Sequence, residues 1–149
     1  MVQGKLLRDL RAINHTYYDP RNLQSMTLTN LLYESTINLA QLFGTASVDE
    51  LIHGYEYMLN LCGIMEDSDK ILEITVNALA LQPSAYFTAV FYNYRTAAYV
   101  LKKDFDKARE ASQTALIYAR QSSNEQLIAL IEGNLKCAEW QIQIIMNDN

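Results

Sequence analysis

The strongest constraint on the fold is a pair of similar segments, each of which joins a helix-start signal to the same apolar spacing. One begins at Asp67 and the other at Asp104, and both read Asp-x-Asp-Lys. An Ala-Leu pair follows at Ala78 in the first segment and at Ala115 in the second, so equivalent residues lie 37 positions apart. A repeated unit of this length indicates an array in which each unit buries its apolar face against its neighbours.

The composition agrees with an array made of helices. Half of the 149 residues are hydrophobic, which excludes a disordered chain, and five glycines and two prolines are few for a protein built from many turns. Apolar residues recur at helical spacing and predict an all-α protein without a sheet. The expected helices cover about residues 3–17, 26–43, 47–65, 67–82, 85–102, 105–121 and 123 onward.

Local signals mark the ends of these helices. Ser47 opens a capping-box pattern, and Ser123 opens a second one. Gly44 predicts the C-cap of the second helix. Asp19-Pro20 leaves two interpretations open: a break in the chain, or an N-cap followed by proline at the first helical position.

The second helix of each repeated segment resembles that of the tetratricopeptide repeat, whose pattern has an aromatic residue, two alanines and a proline at fixed places. In the copy at 104–118, the matching residues are Phe105, Ala108 and Ala115. In the copy at 67–83, they are Ala78 and Pro83. In the preceding helices, aromatic residues occur where that repeat has them, at Tyr55, Tyr92 and Tyr99. The resemblance covers about residues 51–121.

The match to the repeat is partial. Leu59 and Thr96 stand where the repeat has a glycine, and Ser68 and Ile71 replace the aromatic residue and the alanine of the first copy. The resemblance implies antiparallel helix pairs in a right-handed superhelical array of about seven helices. We therefore expect one helical-repeat domain over residues 1–149. Its expected parts are an N-terminal helix pair (1–46), two repeat-like pairs (47–83 and 84–122) and a C-terminal capping helix (123–149).

The charge distribution limits the partners. A net charge of −5 argues against direct nucleic-acid binding, because phosphate contacts need clustered lysine and arginine. Lys5, Arg8 and Arg11 would share one face of the first helix, which we interpret as a solvated face. Residues 74–94 lack charges, but Gln82-Pro83 interrupts them, so we expect two helices there and no membrane span. Two scattered cysteines and the charged N-terminal segment predict a cytoplasmic protein.

The sequence gives little support to catalysis. His15, expected in a turn, and His53, expected on a helix, have no carboxylate or cysteine at metal-ligand spacing. Asp67 and Asp69 are explained as helix-capping residues, since Ile71 stands where a calcium loop needs an oxygen ligand. No phosphate-binding glycine-rich loop or nucleophile motif occurs. We therefore predict a non-enzymatic protein without a metal or a cofactor.

In tetratricopeptide-like proteins, the first helix of each pair lines a groove that takes a peptide or a partner helix. The resemblance assigns five residues to this groove: Tyr57, Asn60, Asn93, Tyr94 and Ala97. Asparagine amides can pair with a peptide backbone, and tyrosines offer flat contact area, although the same tyrosines could equally be core residues. Glu56 stands where chaperone-binding members of the family have a lysine, which disfavours an acidic C-terminus as the ligand.

Two classes of function remain open. The first is a scaffold module that binds a protein or peptide. The alternative is an oligomerisation or sensing domain of a bacterial regulator, such as a peptide-responsive transcription regulator, because those proteins have similar divergent repeats.

Apolar residues at both ends of the array favour a homodimer, with a monomer capped by its own terminal helices as the alternative. These residues are Leu6, Leu7, Leu10 and Ile13 at one end, and Trp140, Ile142, Ile144 and Ile145 at the other.

Overall fold

A computed structural model of the chain describes residues 4–148, and this part is all-helical, as predicted. It contains seven α-helices and no strand. They are α1 (Lys5–Tyr17), α2 (Leu23–Phe43), α3 (Val48–Ile64), α4 (Ser68–Leu79), α5 (Ala85–Leu101), α6 (Phe105–Ser122) and α7 (Glu125–Asn147). Residues 1–3 and 149, which the predicted domain included, lie outside the described residues. None of the seven helices is both long and apolar enough to cross a bilayer.

The helix ends follow from local hydrogen bonds. The capping box at Ser47 is present, because its hydroxyl accepts a bond from the Glu50 amide while the Glu50 carboxylate accepts one from the Ser47 amide. Gly44 ends α2 with a φ of 62°, a left-handed conformation that glycine adopts without steric cost. Asp19-Pro20 is a break, because the N-cap of α2 is Asn22.

Two local predictions are wrong. Ser123 is not an N-cap: α6 continues to Ser122, and Ser123 ends it in the left-handed region with a φ of 57°. Asn124 caps α7 instead, since its side chain accepts a bond from the Leu127 amide at 2.9 Å. His15 lies in the last turn of α1 and not in a connecting turn, because α1 extends to Tyr17.

The chain divides after Asp67 into two compact units. The N-terminal unit contains α1, α2 and α3, and the C-terminal unit contains α4 to α7. The division falls inside the segment 47–83 that was expected to form one helix pair, so α3 is grouped with α1 and α2.

Side-chain contacts give the direction of the helices in the N-terminal unit. α1 and α2 are antiparallel, because Asn14 bonds Tyr33 while Leu6, at the other end of α1, lines a pocket with Phe43. α2 and α3 are antiparallel as well, since residues near the end of α3 contact the first half of α2 and Tyr55 contacts Gln41. α3 also packs against α1, which completes a three-helix unit.

The apolar residues of α1 belong to the core of this unit. Leu6, Leu7 and Leu10 are at most 6% exposed, so the expectation that they form an open apolar end is wrong. The three helices meet closely at Gly54 of α3, where a Cβ atom would lie 3.0 Å from Cδ1 of Ile37 and 3.3 Å from Cδ1 of Leu10. Because α2 and α3 cover it, α1 buries its stripe within its own unit.

In the C-terminal unit, each helix packs against the next one, and α5 also contacts α7. The antiparallel direction of α4 and α5 follows from two contacts, Asp69 with Lys102 and Thr75 with Arg95. Alanines allow close packing of these helices, and the fully buried ones include Ala78, Ala108 and Ala115. The apolar character of α5 on nearly all sides is explained by its three helical neighbours.

The last helix is only partly covered. Ile142 is buried, which contradicts its expected place on an open end, and Ile145 is half-buried. Trp140 and Ile144 remain 68% and 42% exposed. The polar side chains of this helix that face solvent include Lys136, Glu139, Gln141 and Gln143.

Candidate functional site

An open cleft of about 430 Å³ lies on the N-terminal unit, and residues from all three of its helices line it. Helical spacing brings them together: the α3 residues lie three, four and seven positions after Tyr57, on one face of the helix. Tyr33 supplies the α2 contribution, and Tyr18 follows directly after the end of α1. The lining residues are Arg11, Asn14, Tyr18, Tyr33, Tyr57, Asn60, Leu61 and Ile64.

Tyr33 is a buried lining residue of the cleft. Its side chain is only 2% exposed, and its hydroxyl donates a hydrogen bond of 2.8 Å to Oδ1 of Asn14. Its ring centroid lies 6.1 Å from that of Tyr57, with a tilt of 57° between the rings. Burial, and then the nearby Tyr57 and Tyr18, raise the pKa of Tyr33 to about 12. The hydroxyl therefore stays protonated at neutral pH and remains the donor of this bond.

Polar side chains lie beside Tyr33 in the cleft. Because Oδ1 of Asn14 accepts from Tyr33, the amide nitrogen of Asn14 carries the two N–H donors that face other partners. Asn60 adds a second exposed amide. Arg11 is exposed and forms no ion pair with any described residue, so it brings an uncompensated positive charge to the cleft.

The structure brings together two of the five predicted groove residues. Tyr57 is half-buried and Asn60 is exposed, and both line the cleft. The other three lie on α5 in the C-terminal unit: Asn93 and Tyr94 are half-buried and Ala97 is exposed. Their spacing puts these three on one face of α5, and they do not line the cleft of the N-terminal unit.

Sequence reasoning missed the contributions of α1 and α2 to this cleft. Asn14 was detectable, because it follows Leu7 and Leu10 at helical spacing and so puts an amide on an otherwise apolar stripe. Tyr33 was not detectable in this way, since a tyrosine in an apolar stripe is usually a core residue. The hydrogen bond from Tyr33 to Asn14 on α1 becomes visible only in the folded unit.

The remaining polar groups of this unit show no metal-like arrangement. Among residues 4–148, no three histidine, cysteine or acidic side chains converge as metal ligands would. Cys62 is fully buried and its sulfur lies 3.3 Å from the amide nitrogen of Asn30. Glu56 is half-buried; burial raises the pKa of its carboxyl group, and His53 partly offsets this.

Neither the family models nor the curated proteins nor the solved structures with which the chain was compared match it. Its function is therefore inferred from the geometry of the described residues.

Proposed function

We propose that the chain is a non-enzymatic module that binds a peptide or protein segment, and that the cleft of the N-terminal unit is its contact site. The observation that carries this proposal is the combination of three tyrosines, two asparagine amides and one arginine, which forms no ion pair with residues 4–148, in an open cleft. We also propose a cytoplasmic location, which is supported because neither Cys62 nor Cys137 forms a disulfide among the described residues.

Each group in the cleft suits a peptide ligand. Tyrosine rings give large contact area and lose little conformational entropy on binding, since they have two rotatable side-chain bonds. Asparagine amides can donate to backbone carbonyl groups and accept from backbone amides. Arg11 can form a charge-assisted bond to a carboxylate. The ligand that fits best is therefore a segment with an acidic side chain near a backbone stretch that the two amides can reach.

We propose in addition that the helix pairs stack in a tetratricopeptide-like superhelix. The contacts between successive helices of the C-terminal unit and the buried Ala78, Ala108 and Ala115 support it. In such a stack, Asn93, Tyr94 and Ala97 would belong to the ligand-facing side of α5. A crystal structure in which the helix pairs follow a left-handed or closed arrangement would contradict this part of the proposal.

The proposal is tested by selecting ligands from a phage library of random short peptides on the full chain. The affinities of the enriched peptides are then measured for the wild type and for Tyr57→Ala. We expect a loss of about tenfold or more in affinity, because a buried aromatic contact at the centre of an interface is typically worth more than about 1 kcal/mol. Tyr17→Ala is the matched control, since Tyr17 is exposed on the same unit outside the cleft.

Two results would contradict the proposal. One is a selection that enriches no peptide above background. The other is a set of enriched peptides that bind Tyr57→Ala as tightly as they bind the wild type. The charge contribution is checked by Arg11→Gln, which should weaken peptides with an acidic residue more than their neutral analogues.

One observation favours the second candidate, an oligomerisation or sensing domain of a regulator. Trp140 and Ile144 on α7 are exposed, and large exposed apolar side chains often mark contacts with another chain. Light scattering coupled to gel filtration tests it. A dimer mass that becomes a monomer mass in Trp140→Glu would support this candidate, and a monomer at every concentration would exclude it.

A further inference from the structure

A second pocket lies on the C-terminal unit, between α5 and α6, with a volume of about 280 Å³. Its walls differ in chemistry from those of the cleft on the N-terminal unit, because charged and hydroxyl groups dominate them. The polar lining residues are Tyr92, Arg95 and Tyr99 on α5, and Lys107, Glu110 and Thr114 on α6. No part of the proposed peptide-binding function uses them.

Arg95 is held firmly but is not neutralised. Its Nη1 donates to Oγ1 of Thr75 at 2.8 Å and to the carbonyl oxygen of Leu72 at 3.3 Å, and its Nη2 donates to the hydroxyl of Tyr99 at 3.0 Å. All three acceptors are uncharged. A guanidinium group has five N–H donors, so Nε–H and one hydrogen of Nη2 remain without a partner among the described residues.

This arrangement is unusual for a half-buried arginine. Taking a charge out of water costs free energy that a carboxylate partner normally offsets. Here three neutral acceptors orient the guanidinium group, and the positive charge remains available at the pocket. The group is therefore preorganised for an anion from outside the chain, and an anion would not have to reorient it.

A second cation approaches the same place. Nζ of Lys107 lies 5.9 Å from the centroid of the Tyr99 ring, and Cζ of Arg95 lies 5.6 Å from it. The carboxylate nearest to Lys107 is that of Asp104, at 3.7 Å, and both side chains are largely exposed, so this pair is weak. Glu110 supplies one negative charge to the lining, which leaves a net positive charge of one from the three ionised side chains.

A hydroxyl group completes the site. Tyr92 lines the pocket, and its hydroxyl forms no bond with a described residue. Its ring is held by stacking on Tyr118, with centroids 6.1 Å apart and planes within 2° of parallel. The pocket thus presents an oriented guanidinium group, an exposed ammonium group and the hydroxyl of a stacked tyrosine.

We propose that this pocket binds a small oxyanion, a carboxylate or a phosphate group. Arg95 supplies the oriented donors, Lys107 supplies a point charge, and Tyr92 donates a further hydrogen bond. The small volume fits an anionic group or a small anionic molecule better than a folded segment. The proposal does not depend on peptide binding at the other unit, so either can fail alone.

The test is a titration of ¹⁵N-labelled full-length protein with sodium phosphate and, separately, with sodium acetate, at constant ionic strength kept with sodium chloride. The Nε–H signal of Arg95 and the backbone amides of α5 and α6 are followed. We expect saturable shifts at these positions and none at Tyr57 or Asn60. Tighter binding of phosphate identifies the ligand group as a phosphate, and tighter binding of acetate identifies it as a carboxylate.

Variants separate a site from general ionic effects. Lys107→Gln should weaken binding by about three- to tenfold, the range expected for one exposed charge contact of about 1 kcal/mol. Lys136→Gln removes the same charge from an exposed position on α7 and should leave the affinity unchanged. Arg95→Lys keeps the positive charge but loses the planar set of oriented N–H donors, so this variant should bind the anion more weakly than the wild type.

Shifts that do not saturate for either anion would overturn the proposal. Equal effects of Lys107→Gln and Lys136→Gln would also overturn it, because the response would then follow net charge alone. Arg95→Lys is compared by circular dichroism with the wild type, and Lys107→Gln decides the matter if Arg95→Lys does not fold.

Discussion

Gly54 and Gly133 both lie inside helices, but their surroundings predict opposite effects of adding a side chain. A Cβ atom at Gly54 would lie 3.0 Å from Ile37, whereas nothing lies within 4 Å of one at Gly133. Gly54→Leu should overpack the α1–α2–α3 contact and lower the free energy of unfolding by about 1–3 kcal/mol. Gly133→Ala should raise it by about 0.5–1 kcal/mol, because alanine restricts the unfolded chain more than glycine does. Urea denaturation measures both.

The two variants serve as controls for each other. If Gly54→Leu unfolds at the wild-type urea concentration, the three helices of the N-terminal unit do not meet as closely at this position as described. A loss of stability in Gly133→Ala would mean that this side of α7 is covered.

Tyr33 makes the N-terminal unit sensitive to alkaline pH. Its pKa is raised from 10.0 to about 12, so folding favours the protonated hydroxyl. The stability that this contributes is fully present below pH 10.0 and is lost as the pH rises through about 12. In a titration followed by tyrosinate absorbance, we expect Tyr33 to ionise late, together with Tyr55, whose pKa burial also raises. Tyr33→Phe should lower the amplitude of this late step by one tyrosine, and Tyr17→Phe should retain it in full.

A titration in which Tyr33→Phe and Tyr17→Phe lose the same step would contradict this assignment. The same measurement probes the cleft, since the late ionisation depends on the burial of Tyr33 and on its neighbours Tyr57 and Tyr18.

At the scale of the helix, the connection between α6 and α7 gives a direct test of which residue caps α7. The side chain of Asn124 accepts the Leu127 amide, and Ser123 has a left-handed backbone that ends α6. Asn124→Ala should therefore lower the free energy of unfolding by about 1 kcal/mol. Ser123→Ala should have a smaller effect, because no helix start depends on its side chain. A larger loss of stability in Ser123→Ala than in Asn124→Ala would support the capping box at Ser123 and contradict the cap at Asn124.

Local signals allowed most helices to be predicted from the sequence, and their limits explain the errors. Ser47 and Gly44 act through hydrogen bonds or dihedral angles of their own segment, so the chain alone reveals them. Ser123 was misassigned because it and Asn124 are both good caps, and the end of α6 decides between them. A helix start that depends on where the preceding helix ends can be assigned only from the folded structure.

The candidate cleft was less predictable than the helices. Tyr57 and Asn60 came from a resemblance to a repeat pattern, and in the structure they line a cleft with residues of α1 and α2 that the pattern does not include. A hydrogen bond such as that of Tyr33 to Asn14 joins positions nineteen residues apart. Such pairs depend on which faces of two helices meet, and helical periodicity alone does not specify this.

At the scale of the whole molecule, each compact unit carries one cysteine, and the two differ in accessibility. Cys62 in the N-terminal unit is fully buried, whereas Cys137 in the C-terminal unit is exposed. We expect one thiol of the native protein to react at once with an aromatic disulfide reagent and the other only slowly, because the reagent reaches it through opening of the unit. Cys137→Ser should remove the fast phase, and Cys62→Ala should remove the slow one. Two fast phases in the native protein would contradict the burial of Cys62.

The labelling rate of Cys62 in the slow phase reports how often the unit that holds the cleft opens. A ligand that binds only the closed form lowers the population of open molecules by the factor 1 + [L]/Kd, so the labelling rate should fall in proportion. A peptide in the cleft would therefore protect Cys62 in a concentration-dependent way, and the affinity could be read from mass spectra of the modified chain without any label on the peptide. Without peptide, Cys62 should be labelled at the same slow rate in Tyr57→Ala as in the wild type if Tyr57 contributes to binding only. A faster rate in Tyr57→Ala would mean that Tyr57 also stabilises the closed form of the unit.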